Sequence, residues 1–224
     1  NARYVTPNAA PRAVFESKLK KIFAKADLRS LFSGSGSFTE TSAESFDTLI
    51  VDEAHRLKMK SGMFKNLGEN QVKEIIKSAH TAVFFIDEAQ KVTWSDVGEI
   101  SMIEEQAGLA GALIERLELT SQFRCGGSDD YMAWLDETLG VHAETANYFS
   151  LDKFDFQIFD SPVELHKTIK EKNKINNKSR VVAGYCWDWI SQKRPDLKDI
   201  TIDAFGYKAT WNLTSDGSEW IISP

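Results

Sequence analysis

The sequence predicts an α/β protein with a mostly parallel sheet flanked by helices, and three observations support that prediction. Residues 48–51 and 82–86 are short apolar runs, each followed directly by acidic residues. Runs of this kind are typical of strands buried on both faces of a parallel sheet. Between them, apolar residues recur at helical spacing after Asn70, a residue type that often caps a helix. Strands that alternate with helices indicate βαβ units.

The remaining elements follow from the same patterns. Further strands are predicted at residues 4–6, 117–120, 154–159, 180–184 and 200–202. Further helices are predicted at residues 9–26, 95–112 and 161–173, and after Ser128. The helix from residue 161 has the best-defined start. Ser161 and Glu164 form a capping box, and Pro162 occupies the first helical position.

The composition excludes several classes of protein. With 224 residues, of which 42% are hydrophobic, the chain suits one large or two small domains with a real core. The formal net charge of −6 provides no overall attraction to nucleic acid, so any such contact needs a local patch. Cys125 and Cys186 form neither a disulfide framework nor a metal set. We therefore expect a cytoplasmic protein, and no apolar run reaches the ~20 residues of a membrane span.

The candidate catalytic residues stand directly after the two buried strands. Ligands of open α/β sheets bind at the carboxyl ends of the strands. Asp52 is placed there to hold Mg²⁺, directly or through water, and Glu53 to orient or deprotonate an attacking water. After the second strand, the neutral amide of Gln90 suits a hydrogen bond to a γ-phosphoryl group. The alternatives are a solvated acidic turn at Asp52 and a turn capped by Gln90 beside a solvated Asp87.

Residues at two other strand ends are candidates for phosphate contacts. Thr6, Asn8 and Arg12 cluster where the first strand leads into a helix, and a helix N-terminus with short polar side chains suits a nucleic-acid backbone. A simple helix cap at Asn8 is an equal alternative. Arg124 follows the strand predicted at 117–120 and precedes two glycines, so its planar guanidinium can reach phosphate oxygens in a cleft. A structural ion pair is the alternative for Arg124.

The order of these segments resembles a known family. Residues 49–55, Leu-Ile-Val-Asp-Glu-Ala-His, resemble the Walker B box of P-loop NTPases in the form found in helicases. The chain as a whole follows the order of motifs Ia, II, III and IV of superfamily 1 helicases. It is more closely similar to the Schlafen group 3-like DNA/RNA helicase domain family, nearly from end to end. The segments that carry this similarity are residues 6–12, 49–55, 86–90, 119–125 and 183–189.

The resemblance implies a RecA-like P-loop NTPase core that uses ATP and Mg²⁺. It implies that Asp52 lies near Mg²⁺ and that His55 couples the site to movement between lobes. It also implies that Glu53 is the catalytic carboxylate, that Gln90 senses the γ-phosphate and that Arg124 contacts the γ-phosphate. The residues implied to bind the nucleotide and its metal are Asp52, His55 and Asp87.

The chain departs from the family at both ends. It has no initiating methionine, and it contains no Gly-x-x-x-x-Gly-Lys-Ser/Thr phosphate loop, which we expect before Asn1. Later motifs, including a second arginine, are expected after Pro224. Residues 1–150 are therefore predicted to be a partial RecA-like lobe, and residues 151–224 the truncated start of a second lobe. We expect these 224 residues alone to show no ATP turnover, because the loop that holds the phosphates is missing.

The resulting prediction is the central fragment of an ATP-dependent DNA/RNA helicase-like motor. The ligands of the full-length protein would be ATP, Mg²⁺ and DNA or RNA, and no membrane is involved. The first alternative is a regulatory or scaffolding switch that hydrolyses nucleotide without translocating on nucleic acid. The second alternative is a fold that binds a partner and has lost catalysis. Turnover stimulated by nucleic acid would separate the motor from the switch.

Overall fold

The computed structural model describes residues 1–62, 64, 66–91, 93–119, 129–140, 155–184 and 186–212. It divides the chain into two compact units, Asn1–Arg116 and Leu117–Pro224. Arg124 and Cys125 lie outside the described residues. The assignment of residues 151–224 to a second RecA-like lobe stays a prediction.

The first unit is built on a four-stranded parallel sheet. Its strands are β1 (Ala2–Val5), β2 (Phe32–Ser33), β3 (Phe46–Val51) and β4 (Ala79–Phe84), in the spatial order β2-β1-β3-β4. Strand β3 is an inner strand with a partner on each side: Val51 is in register with Val5 of β1 and with Phe84 of β4. The α/β class and the mostly parallel sheet are thus confirmed.

The described residues of this unit form four α-helices: α1 (Ala9–Leu19), α2 (Lys25–Leu31), α3 (Gln71–Ser78) and α4 (Ile100–Leu109). The predicted cap of α3 is present, because the Asn70 side chain accepts hydrogen bonds from the backbone N of Val72 and Lys73 at 2.8 and 3.3 Å. The helix predicted at 9–26 is interrupted after α1, and the chain returns through α2 to a β2 that runs parallel to β1.

The two faces of the sheet are covered differently. On the first face, Val5, Leu49 and Val51 form a buried core with Val72 and Ile75 of α3. All five side chains are fully buried. Burial of large aliphatic side chains contributes about 1.5–3 kcal/mol each. This face therefore supplies most of the packing that holds the sheet.

On the second face, helix α1 covers only the half over β1 and β2. The ring of Tyr4 packs against Phe15 of α1, with a centroid distance of 5.6 Å. Tyr4, Ile50 and Val83 are in register across β1, β3 and β4, so they point to this same face. Val83 and Phe85 are 39% and 42% exposed. Parallel sheets are normally buried on both faces, but within the described residues the half of this face over β3 and β4 is uncovered.

The second unit contains α5 (Asp129–Leu139), α6 (Pro162–Asn176) and the antiparallel pair β5 (Ile200–Ile202) and β6 (Tyr207–Ala209). Helix α6 begins as predicted, because the Ser161 hydroxyl accepts a hydrogen bond from the backbone N of Val163 at 3.2 Å. Asp199 precedes β5 and accepts hydrogen bonds from the Ser191 hydroxyl at 2.6 Å and from the Trp211 backbone N at 2.6 Å. This buried carboxylate joins three segments of the unit.

Three predicted strands are not strands where the structure describes them: residues 117–119, 155–159 and 180–184. Leu119 and Val182 are 79% and 74% exposed. An apolar run forms a strand only beside a neighbour that supplies hydrogen-bond partners, and within the described part of this unit only β5 and β6 provide such a pair. The local pattern therefore overestimated the number of strands.

Candidate functional site

The carboxyl ends of β1, β3 and β4 meet at one edge of the parallel sheet. The Asp52 backbone N donates to the Val5 carbonyl oxygen at 2.9 Å, and the Ala54 backbone N donates to the Phe85 carbonyl oxygen at 2.9 Å. The connections that leave β1 and β3 run in opposite directions across the sheet. Such a reversal creates the crevice in which open α/β sheets bind ligands. Asp52 borders this crevice.

Both carboxylate oxygens of Asp52 accept hydrogen bonds. The Tyr4 hydroxyl, on neighbouring β1, donates to Oδ2, and the Glu53 backbone N donates to Oδ1 at 3.0 Å. Burial, the hydrogen bond to Asp52 and the negative charges of Asp52 and Glu53 together raise the pKa of Tyr4 well above its usual value. The phenol is therefore a donor at neutral pH. Tyr4 was not predicted from the sequence, because only the pairing of β1 with β3 brings it to Asp52.

Glu53 adopts a left-handed backbone conformation with φ 54° and ψ 41°. A residue that carries a Cβ adopts this conformation at a free-energy cost of about 1–2 kcal/mol. Glu53 Oε2 lies 3.2 Å from Nε2 of His55, a side chain that is only 3% exposed. Within the described chain, Nδ1 of His55 has no hydrogen-bond partner. The predicted catalytic carboxylate and the predicted coupling residue are thus direct neighbours.

The second acidic turn, at Asp87, is exposed. Asp87 accepts hydrogen bonds from the backbone N of Ala89 at 3.1 Å and from Gln90 Nε2 at 2.9 Å. Glu88 accepts a hydrogen bond from the backbone N of Ile100, the first residue of α4, at 2.8 Å. Asp87 is therefore the cap of this turn, and the Gln90 amide donates to that cap. Sensing of a γ-phosphate by Gln90 stays a prediction.

The three nucleic-acid candidates lie at the carboxyl ends of β1 and β2. Thr6 is fully buried, and its hydroxyl accepts a hydrogen bond from the Asn8 backbone N at 3.4 Å. Asn8 holds the N-cap position of α1, but its side chain makes no capping hydrogen bond to the described chain. The Arg12 guanidinium lies beside Gly34, where an added Cβ would be 3.2 Å from Nη1. Polar and basic groups therefore share this edge.

The segment before α4 packs against the turn that follows β3. The Val97 backbone N donates to the Leu57 carbonyl oxygen at 2.8 Å. A Cβ built on Gly98 would lie 1.7 Å from the Ala54 carbonyl oxygen, so this position admits only glycine. The contact explains why the helix predicted at 95–112 begins only at residue 100. It was not predicted from the sequence.

An ion pair between a buried Asp96 and a partly exposed Lys58 joins the same two segments. Asp96 is 1% exposed and accepts hydrogen bonds from Lys58 Nζ and from the Thr93 backbone N, the latter at 3.2 Å. Lys58 also donates to the Ser95 hydroxyl at 2.9 Å. Burial acts to raise the pKa of Asp96, but these hydrogen bonds and the charge of Lys58 outweigh it, so the pKa lies below its usual value. The turn at Asp52 is thereby attached to the segment that leads into α4.

Comparison with known proteins identifies the family. The family described as "Schlafen group 3, DNA/RNA helicase domain" matches residues 1–224, the whole chain. The chain belongs to this family. "Uncharacterized protein YPL245W" of Saccharomyces cerevisiae is 24% identical over an alignment of 186 residues, and the match covers 74% of this chain and 40% of that protein. The chain thus spans about two fifths of the length of this relative. No solved structure matches the chain significantly.

The donor set of this Schlafen group 3 helicase domain suits a metal that takes most of its ligands from elsewhere. Within the described residues, no group of three or more His, Cys, Asp or Glu side chains can hold a metal ion. Mg²⁺ in nucleotide sites needs only one or two carboxylates, because phosphates and water complete its shell. Asp52 provides one partly exposed carboxylate.

Among the helices that the structure describes, none is long and apolar enough to cross a membrane.

Proposed function

We propose that this chain forms the ATP- and Mg²⁺-binding edge of a DNA/RNA helicase-like motor with a RecA-like core. One observation carries the proposal. The turns at Asp52 and Asp87 follow adjacent parallel strands, and the hydrogen bond between Ala54 and Phe85 holds these turns side by side. The family supplies the link to nucleic acid. A metal-binding carboxylate and a water-activating carboxylate would then stand where α/β proteins bind nucleotides.

Each residue has a separate task in this proposal. Asp52 would hold Mg²⁺, which neutralises charge on the transferred phosphoryl group when the nucleotide is bound. Glu53 takes the proton of the attacking water, and His55 orients the Glu53 carboxylate across the 3.2 Å contact. The amide of Gln90 can release Asp87 and hydrogen-bond a phosphate oxygen.

Arg124, which lies outside the described residues, is proposed to neutralise charge that develops on the transferred group. Its substitution by alanine in the full-length protein should lower kcat by ~10³-fold and change nucleotide binding less. A normal kcat in a well-folded Arg124→Ala variant would remove Arg124 from the proposed site.

The uncovered half of the sheet supports a phosphate loop supplied by a segment before Asn1 in the full-length protein. Among the described strands β4 pairs only with β3, so its outer edge is open. A strand on that edge, joined to β1 by a right-handed crossover, would place its helix on the face of Val83 and Phe85. The start of that helix would lie at the carboxyl edge of the sheet, near Asp52. Helix N-termini in such positions bind phosphate.

The same handedness already governs the described connections. The β1–β2 connection runs toward one side of the sheet, with α1 on the second face. The β3–β4 connection runs toward the other side, with α3 on the first face. A crossover from the open edge of β4 back to β1 runs in the direction of the β1–β2 connection. It must therefore cover the second face.

Of the three candidates, Asn8 and Arg12 are the proposed contacts to the nucleic-acid backbone, and the buried Thr6 supports them through its hydrogen bond with the Asn8 backbone N. The side chain of Asn8 is not used as a helix cap within the described chain, and the Arg12 guanidinium lies at the same edge of the sheet. Backbone contacts of this kind position a nucleic acid without reading its sequence. We therefore expect binding that weakens as salt rises and that depends little on base sequence.

The test is ATP turnover by the full-length protein with and without single-stranded DNA or RNA. We expect turnover that requires Mg²⁺ and rises when nucleic acid is added. The Asp52→Asn variant should lose the basal turnover and the turnover stimulated by nucleic acid. The matched control is Glu105→Gln, which changes an exposed carboxylate on α4. Turnover that ignores nucleic acid would favour the regulatory switch, and no turnover at all would favour the partner-binding fold.

A further inference from the structure

Tyr4 lies beside Asp52 but has no role in the proposed function. Its hydroxyl donates to Asp52 Oδ2 from the neighbouring strand, while the Glu53 backbone N donates to the other carboxylate oxygen at 3.0 Å. We propose that Tyr4 is a positioning residue that holds the Asp52 carboxylate in the orientation required for Mg²⁺. This inference rests on the proposed function, because it assigns a partner to the metal-binding side chain.

The packing around Tyr4 makes its hydroxyl a rigid donor. The Tyr4 ring contacts the rings of Phe15 and Phe32 edge to face, at centroid distances of 5.6 and 5.8 Å. Phe15 and Phe32 are themselves stacked, 6.1 Å apart and nearly parallel. A phenol held in such a cluster has little freedom to rotate away from its acceptor. The cluster thus directs one polar atom to the carboxylate at the end of β3.

The two hydrogen bonds leave Asp52 able to bind a metal. Each carboxylate oxygen can accept two hydrogen bonds or ligand contacts, and each accepts one hydrogen bond from the part of the chain that the structure describes. With both oxygens restrained, the carboxylate cannot rotate freely when a cation arrives. Mg²⁺ requires near-ideal octahedral geometry, so a preoriented ligand improves its binding. Groups that hydrogen-bond metal ligands typically change metal affinity by roughly 10–100-fold.

The experiment compares nucleotide binding with and without metal in the full-length protein. A non-hydrolysable ATP analogue, adenylyl-imidodiphosphate, is titrated by calorimetry in Mg²⁺ and in EDTA, so no turnover is needed. Tyr4→Phe keeps the aromatic cluster and removes only the hydroxyl. We expect the affinity of the Tyr4→Phe variant for the ATP analogue to fall roughly tenfold in Mg²⁺ and to stay unchanged in EDTA. The control is Tyr207→Phe, which removes a hydroxyl 2.9 Å from His166 in the second unit and should change neither affinity.

A double variant tests whether Tyr4 acts through Asp52. If it does, Tyr4→Phe combined with Asp52→Asn should bind no more weakly in Mg²⁺ than Asp52→Asn alone. Additive losses, or an equal loss in EDTA, would overturn the positioning role and leave Tyr4 with a structural one. A full loss in Asp52→Asn with no change in Tyr4→Phe would overturn this inference alone. An unchanged Asp52→Asn would overturn the proposed function as well.

Discussion

The two acidic turns at the edge of the sheet have nearly the same sequence but different surroundings. Residues 52–55 read Asp-Glu-Ala-His, and residues 87–90 read Asp-Glu-Ala-Gln. The first turn follows the inner strand β3. Its Asp52 accepts a hydrogen bond from Tyr4, and its histidine, His55, is buried. The second turn follows the edge strand β4, is exposed and makes most of its hydrogen bonds to itself. The position of a strand within the sheet therefore determines what an identical acid can do.

The two turns also differ in the segments that they contact. Around Asp52, neighbouring segments contribute a phenol, a histidine and the contact at Gly98. Around Asp87, the main contact outside the turn is the hydrogen bond from Ile100 to Glu88, which attaches the turn to the start of α4. Hydrolysis requires a carboxylate held in one orientation. Within the described structure, Asp52 accepts a hydrogen bond from a side chain of a neighbouring strand, whereas both oxygens of Asp87 accept only from within its own turn.

The largest expected difference concerns turnover. In the full-length protein, Glu53→Gln should keep nucleotide binding and slow ATP hydrolysis by ~10²–10⁴-fold, because the amide cannot take a proton from water. Glu88→Gln makes the same chemical change in the second turn and keeps an oxygen that can accept from Ile100. Its turnover should stay within about threefold of wild type. Single-turnover kinetics with both variants measures the difference, and equal losses would contradict the distinction between the turns.

The next largest effect concerns the contact behind the first turn. Gly98→Ala places a Cβ 1.7 Å from the Ala54 carbonyl oxygen, so the backbone must move. We expect the free energy of unfolding to fall by about 3 kcal/mol, as for severe overpacking. Gly108→Ala is the matched control, because nothing lies within 4 Å of the new methyl group in α4. It should raise stability by about 0.5–1 kcal/mol. Urea unfolding measures the free energy of unfolding of both variants. Equal values for the two variants would refute the tight contact at Gly98.

The third prediction concerns pH. Asp96→Asn should lower the free energy of unfolding by about 2 kcal/mol at pH 7, less than for a fully buried ion pair because Lys58 is 32% exposed. Since the pKa of Asp96 is lowered in the folded state, its contribution is complete above the ordinary carboxyl pKa of about 4. The contribution is lost as the pH falls through the lowered value.

Acid titration of stability checks this sign. The gap between wild type and Asp96→Asn should be constant from pH 7 to about pH 5 and should narrow below pH 4. A gap that widens with acid would contradict the assigned pair.

The smallest expected effect concerns backbone strain. Glu53 has φ 54°, whereas Glu88 begins a short helical turn with ordinary φ. Glycine adopts the left-handed region readily, so Glu53→Gly should be tolerated better than Glu88→Gly by about 1 kcal/mol in free energy of unfolding. Thermal unfolding of the two variants measures this difference. The reverse order would show that the Glu53 conformation carries no strain.

Local patterns accounted for the elements whose causes are local. The apolar runs before Asp52 and Asp87 became β3 and β4, and the caps at Asn70 and Ser161 start α3 and α6. Both caps depend on side chains within three residues of the helix start, so the order of the strands does not affect them. The strand predicted at 180–184 failed for the complementary reason, since a strand requires a neighbour that the local pattern cannot supply.

The sequence by itself determined which residue types stand at the ends of the strands, and hence that acids and amides gather at one edge of a parallel sheet. Only the tertiary structure decided which acid is held by a phenol, which lies beside a buried histidine and which remains exposed. Asp52 meets Tyr4 because β1 pairs with β3, and Lys58 meets Asp96 because the chain returns after β4. These contacts join residues far apart in the chain, and their partners depend on strand order and packing rather than on periodicity.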